Sequence, residues 1–199
     1  LDRPGELRAG LEYRRDDIDV GLHLSERRQR YATVREDDVE QSMNSAYLAL
    51  EQRWTSTLRS VASLRLDHYR YDVAADRTVN SGDGSDSQIS PKFNLIYRPI
   101  DHTEYFFSLG RGFHSNDARG ATTRIDPDSG QPVSPVDPLA AADSAEIGMR
   151  SAWLPRTQFS VTAFAMQLES ELVFVGDAGA TEPLNASRRY GVEMGALYS

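Results

Sequence analysis

The sequence contains no cysteine in its 199 residues. Within this chain, a disulfide scaffold, a thiol enzyme and a zinc ribbon are therefore excluded. No apolar run exceeds the five residues 46–50, whereas a membrane-spanning helix needs about 20. Basic residues are also few: 22 Lys plus Arg stand against 30 Asp plus Glu, a formal net charge of −8. This acidic balance argues against nucleic acid as a partner.

Histidine is scarce too, and the four histidines lack the spacing that would place two metal ligands on one face. The sequence has no Gly-x-Ser-x-Gly element and no glycine-rich phosphate loop between a strand and a helix. Acidic clusters at 35–40 and 83–86 do not match a calcium-binding loop, and we interpret both as solvated loop surface. We therefore expect no catalytic residues, no metal site and no cofactor, so the chain is not predicted to be an enzyme.

What the chain does contain is alternation with a period of two residues, which is typical of β-strands. In residues 58–67, apolar or small side chains alternate with mostly charged ones. Eight segments are predicted as strands: the first, fourth, fifth, sixth and eighth repeat the alternation of the third, and the second and seventh are less clean. The segments are 7–13, 42–53, 58–67, 89–97, 105–109, 145–153, 158–172 and 190–198.

The connections between these segments alternate in length. Short ones lie at 53–57, 99–103 and 154–157, and long ones lie near 15–41, 73–87, 113–142 and 173–187. An up-and-down meander with short turns at one end and long loops at the other is the layout of a transmembrane β-barrel. The predicted fold class is therefore all-β, an antiparallel up-and-down barrel segment of about eight strands.

Aromatic residues are concentrated at the ends of the predicted strands. The two tryptophans, Trp54 and Trp153, both lie at short turns, and Tyr13, Tyr69 and Tyr190 lie where strands meet long loops. Such belts are expected at the two membrane interfaces. The low mean hydropathy of −0.53 is compatible with a barrel, because only one face of each strand meets lipid.

Two sets of polar residues are candidates for function. One set alternates with the apolar positions and is predicted to face the lumen: Arg59, Arg65, Asp67, Lys92, Arg98, Arg150 and Glu193. The other lies in a predicted extracellular loop and is expected to contact a ligand: Arg111, His114, Asn116, Asp117 and Arg119. Arginine suits carboxylate and phosphate groups. The alternative is that the loop residues shape a turn and pair with neighbouring acids or lipopolysaccharide phosphate.

From about Met43 to its end, the chain resembles the β-barrel domain of TonB-dependent outer-membrane receptors. The most specific segment is GRGFHSNDARG at 110–120, which is similar to a strand end and polar loop of that family. Supporting segments are SLRLDHYRYD at 63–72, ISPKFNLIYRP at 89–99 and ASRRYGVEMGALY at 186–198.

The resemblance implies a barrel of about 22 strands closed by a plug, in the outer membrane of a Gram-negative bacterium. It also implies energised uptake of a scarce ligand such as a ferric siderophore, with TonB acting through the plug. Outer-membrane lipid and lipopolysaccharide are then partners of the barrel. Residues 1–199 contain no plug-like region and are expected to be part of one barrel domain, an interior fragment of a larger receptor.

Two alternatives stay open from the sequence. The first is a small closed eight-strand outer-membrane barrel with a structural or adhesion role, which is geometrically allowed. The second is a soluble all-β binding module, in which the apolar face of residues 58–66 packs against another sheet.

Overall fold

A computed structural model of the chain describes residues 5–127, 129–175, 180–184 and 186–198. Eight long antiparallel strands form a half-barrel, which confirms the predicted fold class. Their bounds are β1 (Gly5–Glu26), β2 (Gln29–Arg53), β3 (Leu58–Ala75), β4 (Gly82–Ile100), β5 (Thr103–Ser115), β6 (Leu139–Ser151), β7 (Thr157–Leu168) and β10 (Ser187–Tyr198). The intervening β8 (Glu171–Val175) and β9 (Ala180–Leu184) form a separate hairpin.

Each strand of the large sheet pairs with the next one along the chain, in the order β1-β2-β3-β4-β5-β6-β7-β10. Short turns at 54–57, 101–102 and 152–156 join strands at one end, as predicted. Longer connections at 76–81 and 116–138 lie at the opposite end. The connection 116–138 contains α1 (Ala118–Thr122). None of the helices in the described part of the chain has the length and apolar composition of a membrane-spanning helix.

Two predicted long loops have the wrong bounds. Residues 15–41 are mostly strand, because β1 and β2 continue as a hairpin that turns at Arg27 and Arg28, both in the left-handed region (φ 47° and 67°). Residues 73–87 are mostly strand as well, since β3 and β4 remain paired as far as Val73 and Gly82. In the predicted loop 173–187, residues 176–179 and 185 lie outside the described residues.

The register divides the sheet into two faces. Residues directly opposite one another in an antiparallel pair project to the same face. One row therefore joins Glu12, Ser45, Asp67 and Gln88, and the next row, on the opposite face, joins Leu11, Ala46, Leu66 and Ile89. We call the face with the first row the polar face and the face with the second row the apolar face.

The apolar face carries large side chains that no part of the described structure covers. Leu11 is 88% exposed, Tyr190 85% and Met194 80%. A contiguous exposed apolar surface of this kind marks contact with a membrane or a partner. Buried hydrophobic residues are correspondingly few in the part of the chain that the structure describes, and three of them, Val39, Val73 and Ala118, form a small cluster.

Pro91 is unexpected in a strand interior, because its nitrogen cannot donate to a ladder. The pairing of β4 with β5 begins at Lys92, opposite Gly110, whereas the pairing of β4 with β3 continues past Pro91. Pro91 thus lies where β4 loses its partner on one side, the position at which a sheet tolerates proline.

Candidate ligand mouth and polar face

The connection 116–138, which we call the mouth loop, is docked on the polar face of the sheet. Asp117 caps α1, since its carboxylate accepts a hydrogen bond of 2.9 Å from the backbone N–H of Arg119. Ala118 then packs against Val39 of β2 and Val73 of β3, and is 2% exposed. A small residue in α1 thus allows the helix to lie directly on the strands.

Four charged side chains fix the docked helix. Asp37 of β2 is 2% exposed, and its carboxylate lies 2.6 Å from a guanidinium nitrogen of Arg35 and 3.5 Å from one of Arg119. Arg119 also pairs with Asp117 at 2.6 Å. The buried carboxylate is therefore compensated by two guanidinium groups, as a charge removed from water requires.

The electrostatics of Asp117 follow from the same pairing. Burial alone raises the pKa of its carboxyl group, but the hydrogen bonds and positive charge of Arg119 outweigh burial and lower the pKa below its ordinary value. Asp117 is therefore ionised at neutral pH and attracts Arg119.

Asn80, in the connection between β3 and β4, holds the far side of the mouth loop. Its amide nitrogen donates to the carbonyl of Ile125 at 2.8 Å, and its amide oxygen accepts from the backbone N–H groups of Arg124 and Ile125 at 3.0 Å each. Asn80 is 4% exposed. One side chain thus satisfies three backbone groups of the mouth loop.

The structure separates the five predicted ligand residues. Asn116, Asp117 and Arg119 lie together at the start of the mouth loop, where the Asn116 amide donates to the carbonyl of Asp137. His114 is on the polar face of β5. Arg111 is on the apolar face and makes two hydrogen bonds, of 2.8 and 2.7 Å, to Asp143 of β6.

The polar face contains a second charged network near its centre. Asp67 of β3 has a fully buried side chain that accepts hydrogen bonds from Ser45 at 2.6 Å and from Arg65 at 2.9 Å. Arg65 also donates to Ser45 of β2 at 2.9 Å and to Glu12 of β1 at 3.0 Å. A single guanidinium group thereby crosslinks three strands.

A third network lies near the short turns. Arg98 pairs with Glu104 at 3.0 Å, and Arg59 lies 3.9 Å from the same carboxylate and 3.4 Å from Glu51. Arg150 stacks over the ring of Phe106, with 5.0 Å to the ring centroid.

The register places all seven residues predicted to face the lumen on the polar face. Lys92 lies opposite Gly110, and its side-chain stem passes close to that glycine. Glu193 of β10 lies opposite Thr162 of β7. The seven side chains thus project from one face of the sheet, and polar contacts link residues of neighbouring strands on that face.

The interpretation of residues 35–40 as solvated loop surface is wrong. The segment is strand, and its alternate residues Asp37 and Val39 are buried beneath the mouth loop while Glu36, Asp38 and Glu40 are exposed. Among the described residues, no three His, Asp or Glu side chains lie close enough together to hold a metal ion.

Sequence reasoning did not identify Asp37, Asn80 or Val73 as partners of the mouth loop. Their contacts join segments that are distant in the sequence. Val39 is the one apolar residue in 35–40, so the local pattern has no period in hydrophobicity and contained no signal for these contacts.

The geometry defines a class of protein. An up-and-down antiparallel half-barrel with an exposed apolar face, a charged opposite face and connections of unequal length at its two ends is the architecture of transmembrane β-barrels. The family model described as TonB dependent receptor-like, beta-barrel matches residues 1–199. The chain belongs to that family.

Solved structures show the same fold. The chain is similar to the copper transporter OprC (15% identity, TM-score 0.73), covering 100% of this chain and 33% of that one. It is similar to the ferric yersiniabactin uptake receptor FyuA from Yersinia pestis at 13% identity and a TM-score of 0.72, and the match covers 98% of this chain and 30% of FyuA. It is similar to the ferric citrate transporter FecA at 15% identity and a TM-score of 0.74, and the match covers 98% of this chain and 29% of FecA. The chain thus spans about a third of each, and comparison with curated proteins gave no match.

Proposed function

We propose that the chain forms part of the wall of an outer-membrane transporter that takes up a scarce metal chelate, such as a ferric siderophore. The observation that carries the proposal is the family match over residues 1–199. The names of FyuA and FecA specify iron chelates, and the name of OprC specifies copper. A chelated metal ion is therefore the proposed cargo, with iron favoured by the first two. The family supports transport rather than catalysis.

The proposed location is the outer membrane of a Gram-negative bacterium. The exposed apolar face would contact lipid and lipopolysaccharide there, because an apolar surface of this extent is more stable against lipid than against water. The polar face would then line the lumen, with Arg59, Arg65, Asp67, Lys92, Arg98, Arg150 and Glu193 on it. A plug carried by the rest of the receptor would fill the lumen and couple it to TonB.

We propose that ligand binds at the mouth loop and the adjoining end of β5. Arg111, His114, Asn116, Asp117 and Arg119 stay the candidate contacts, and the structure gives a condition for two of them. To bind an anionic chelate, Arg111 would have to leave Asp143 and reach past the end of the sheet from the apolar face. Arg119 would have to leave Asp117 or Asp37. His114 has no such competing charge pair among the described residues and is the contact that we favour.

The proposal is tested by uptake in cells. A strain lacking the receptor would be complemented with the full-length gene, and accumulation of radioactive iron would be measured with ferric citrate and with a ferric catecholate. Radioactive copper would be measured in parallel. The expected result is accumulation of one metal that requires both the receptor and a charged inner membrane. Equal accumulation with and without the receptor for ferric citrate, the ferric catecholate and copper would contradict the proposal.

The end of β5 next to the mouth loop is tested in the same assay with paired variants of histidine. His114→Ala is expected to weaken uptake at low ligand concentration, because one candidate contact is lost. His102→Ala changes an exposed histidine in a short turn at the opposite end of the sheet, and is expected to leave uptake unchanged. Equal effects of the two variants would contradict the role of His114.

A further inference from the structure

A pocket of about 210 Å³ lies at the short-turn end of the sheet, which is the end opposite the mouth loop. It is bounded by the turn residues 55–57, by Arg98 of β4 and by Glu104 of β5. We call it the turn pocket. No residue of the mouth loop lines it, so the turn pocket is distinct from the candidate ligand mouth.

Basic side chains outnumber carboxylates in the turn pocket. Its charged lining residues are Arg53, Arg59, Arg98 and Glu104. Glu104 lies 3.0 Å from Arg98 and 3.9 Å from Arg59, so that one carboxylate is shared by two guanidinium groups. Arg59 also pairs at 3.4 Å with Glu51, which lies outside the pocket. The lining itself therefore carries an excess of positive charge.

Arg53 is the arginine whose charge is least compensated. It forms no ion pair among the described residues, and Glu6 of β1 attracts it only weakly. The register places Arg53 directly opposite Arg59, on the polar face of the sheet. Two neighbouring guanidinium groups repel each other unless an anion lies between them, and their planar forks match the paired oxygens of a carboxylate or phosphate.

The turn between β2 and β3 adds a hydroxyl donor to the pocket. Oγ1 of Thr55 accepts hydrogen bonds from the backbone N–H groups of Leu58 at 2.9 Å and Thr57 at 3.2 Å. Because both of its lone pairs are used, its proton is donated to Oγ1 of Thr57, 3.1 Å away. The hydroxyl proton of Thr57 then has no acceptor among the described residues and is available to a ligand oxygen.

Backbone hydrogen bonds hold this lining in place. The N–H of Trp54 donates to the carbonyl of Leu58 at 2.9 Å, which closes the turn. The N–H of Arg98 donates to the carbonyl of Thr57 at 2.7 Å, which ties the turn to β4. A site whose donors are already positioned loses less conformational entropy when a ligand binds.

We propose that the turn pocket binds a soluble anion that carries two or more carboxylate or phosphate groups. A polyanion is favoured because three guanidinium groups face one carboxylate. A soluble anion is favoured over a lipid because the arginines project from the polar face, opposite the exposed apolar face.

An anionic metal chelate has this chemistry. Short turns lie at the periplasmic end of a transmembrane barrel, so the turn pocket would lie where such a chelate leaves the lumen. That role rests on the proposed function, whereas the binding of an anion does not.

The test places a reporter in the pocket. Full-length receptor would be purified from outer membranes in mild detergent with a trifluoromethyl label on Ser56→Cys, and the fluorine resonance would be followed during titration with citrate. The control label is on Gln29→Cys, an exposed position at the opposite end of β2. We expect a saturable shift at position 56 and none at position 29. Citrate should bind roughly tenfold more tightly than acetate at equal ionic strength.

Arginine variants identify the charge that is responsible. Arg53→Gln should weaken citrate binding roughly tenfold, because it removes an uncompensated guanidinium group. Arg30→Gln, an exposed arginine at the opposite end of β2, should change the affinity by at most about twofold. Glu104→Gln should instead strengthen binding roughly threefold, because it removes the competing carboxylate. Loss of local structure would weaken binding in this variant as well.

Three results would overturn the inference: no shift at position 56, an equal affinity for citrate and acetate, or unchanged binding in Arg53→Gln. The first result is also the one expected if an acidic segment elsewhere in the receptor fills the pocket. A receptor that binds citrate at position 56 but takes up no metal would count against the proposed function alone.

Discussion

Replacement of Asn80 by alanine is expected to release the mouth loop without unfolding the barrel. The Asn80 side chain makes three hydrogen bonds to backbone groups of Arg124 and Ile125 and is 4% exposed. Each such bond contributes about 1 kcal/mol net, and water can partly replace the lost partner, so the docked state should lose about 2–3 kcal/mol. This loss corresponds to a rise of roughly 30- to 150-fold in the equilibrium constant for opening.

Hydrogen exchange measures that constant directly. Exchange of peptides covering residues 118–136 of the full-length receptor should accelerate by roughly the same factor in Asn80→Ala, while peptides from β3 and β6 keep their protection. Asn94→Ala is the matched control, because Asn94 lies on the polar face without a side-chain hydrogen bond among the described residues. Equal exchange in the two variants would show that Asn80 does not hold the mouth loop.

Three further outcomes are expected. Because the pKa of Asp117 is lowered in the folded protein, its contribution to docking is complete above its ordinary pKa of about 4 and is lost as the pH falls through the lowered pKa. Hydrogen exchange corrected for intrinsic rates should therefore show no opening of the mouth loop between pH 7 and 5. An opening transition near pH 6 would contradict this. Ala118→Asp should undock the mouth loop and expose it to protease while the barrel keeps its heat-modifiable gel mobility. Ala74→Asp, at an exposed position, should leave the loop docked and protected from protease. Leu64→Arg on the apolar face should cost about 2–4 kcal/mol in urea titrations of the receptor in vesicles, whereas Ser63→Arg on the polar face should cost little; equal losses would contradict the assignment of the faces.

The strands were predictable where one face is apolar. Residues 58–66 alternate cleanly, and β3 begins at Leu58 as the pattern indicates. The pattern fails at Arg14–Asp17, where both faces of β1 are charged although the strand continues. A segment with two polar faces has no period in hydrophobicity, so the extensions of β1 and β2 were interpreted as loop.

The candidate site was predictable in composition but not in geometry. The concentration of polar residues in 110–120 does lie at the mouth end of the sheet, because the alternation of short and long connections fixes that end. The ion pair of Arg119 with Asp37 and the contact of Ala118 with Val73 depend on how a loop folds back on distant strands. Local pattern contains no information on such contacts, and for the same reason the pairing of Arg111 with Asp143 was not expected.

The most direct test of the account is a scan of β3 with single spin-labelled cysteines, which the absence of native cysteine in these 199 residues makes practical. Labels at 60–67 would be introduced into the full-length receptor in lipid vesicles, and their accessibility to oxygen and to a water-soluble nickel complex would be measured. Accessibility should alternate with a period of two, with oxygen favoured at Ala62, Leu64 and Leu66 and the nickel complex or neither reagent favoured at Ser63 and Arg65. Nickel accessibility at the leucines, or no alternation along the strand, would contradict the claim that the apolar face of this sheet meets lipid.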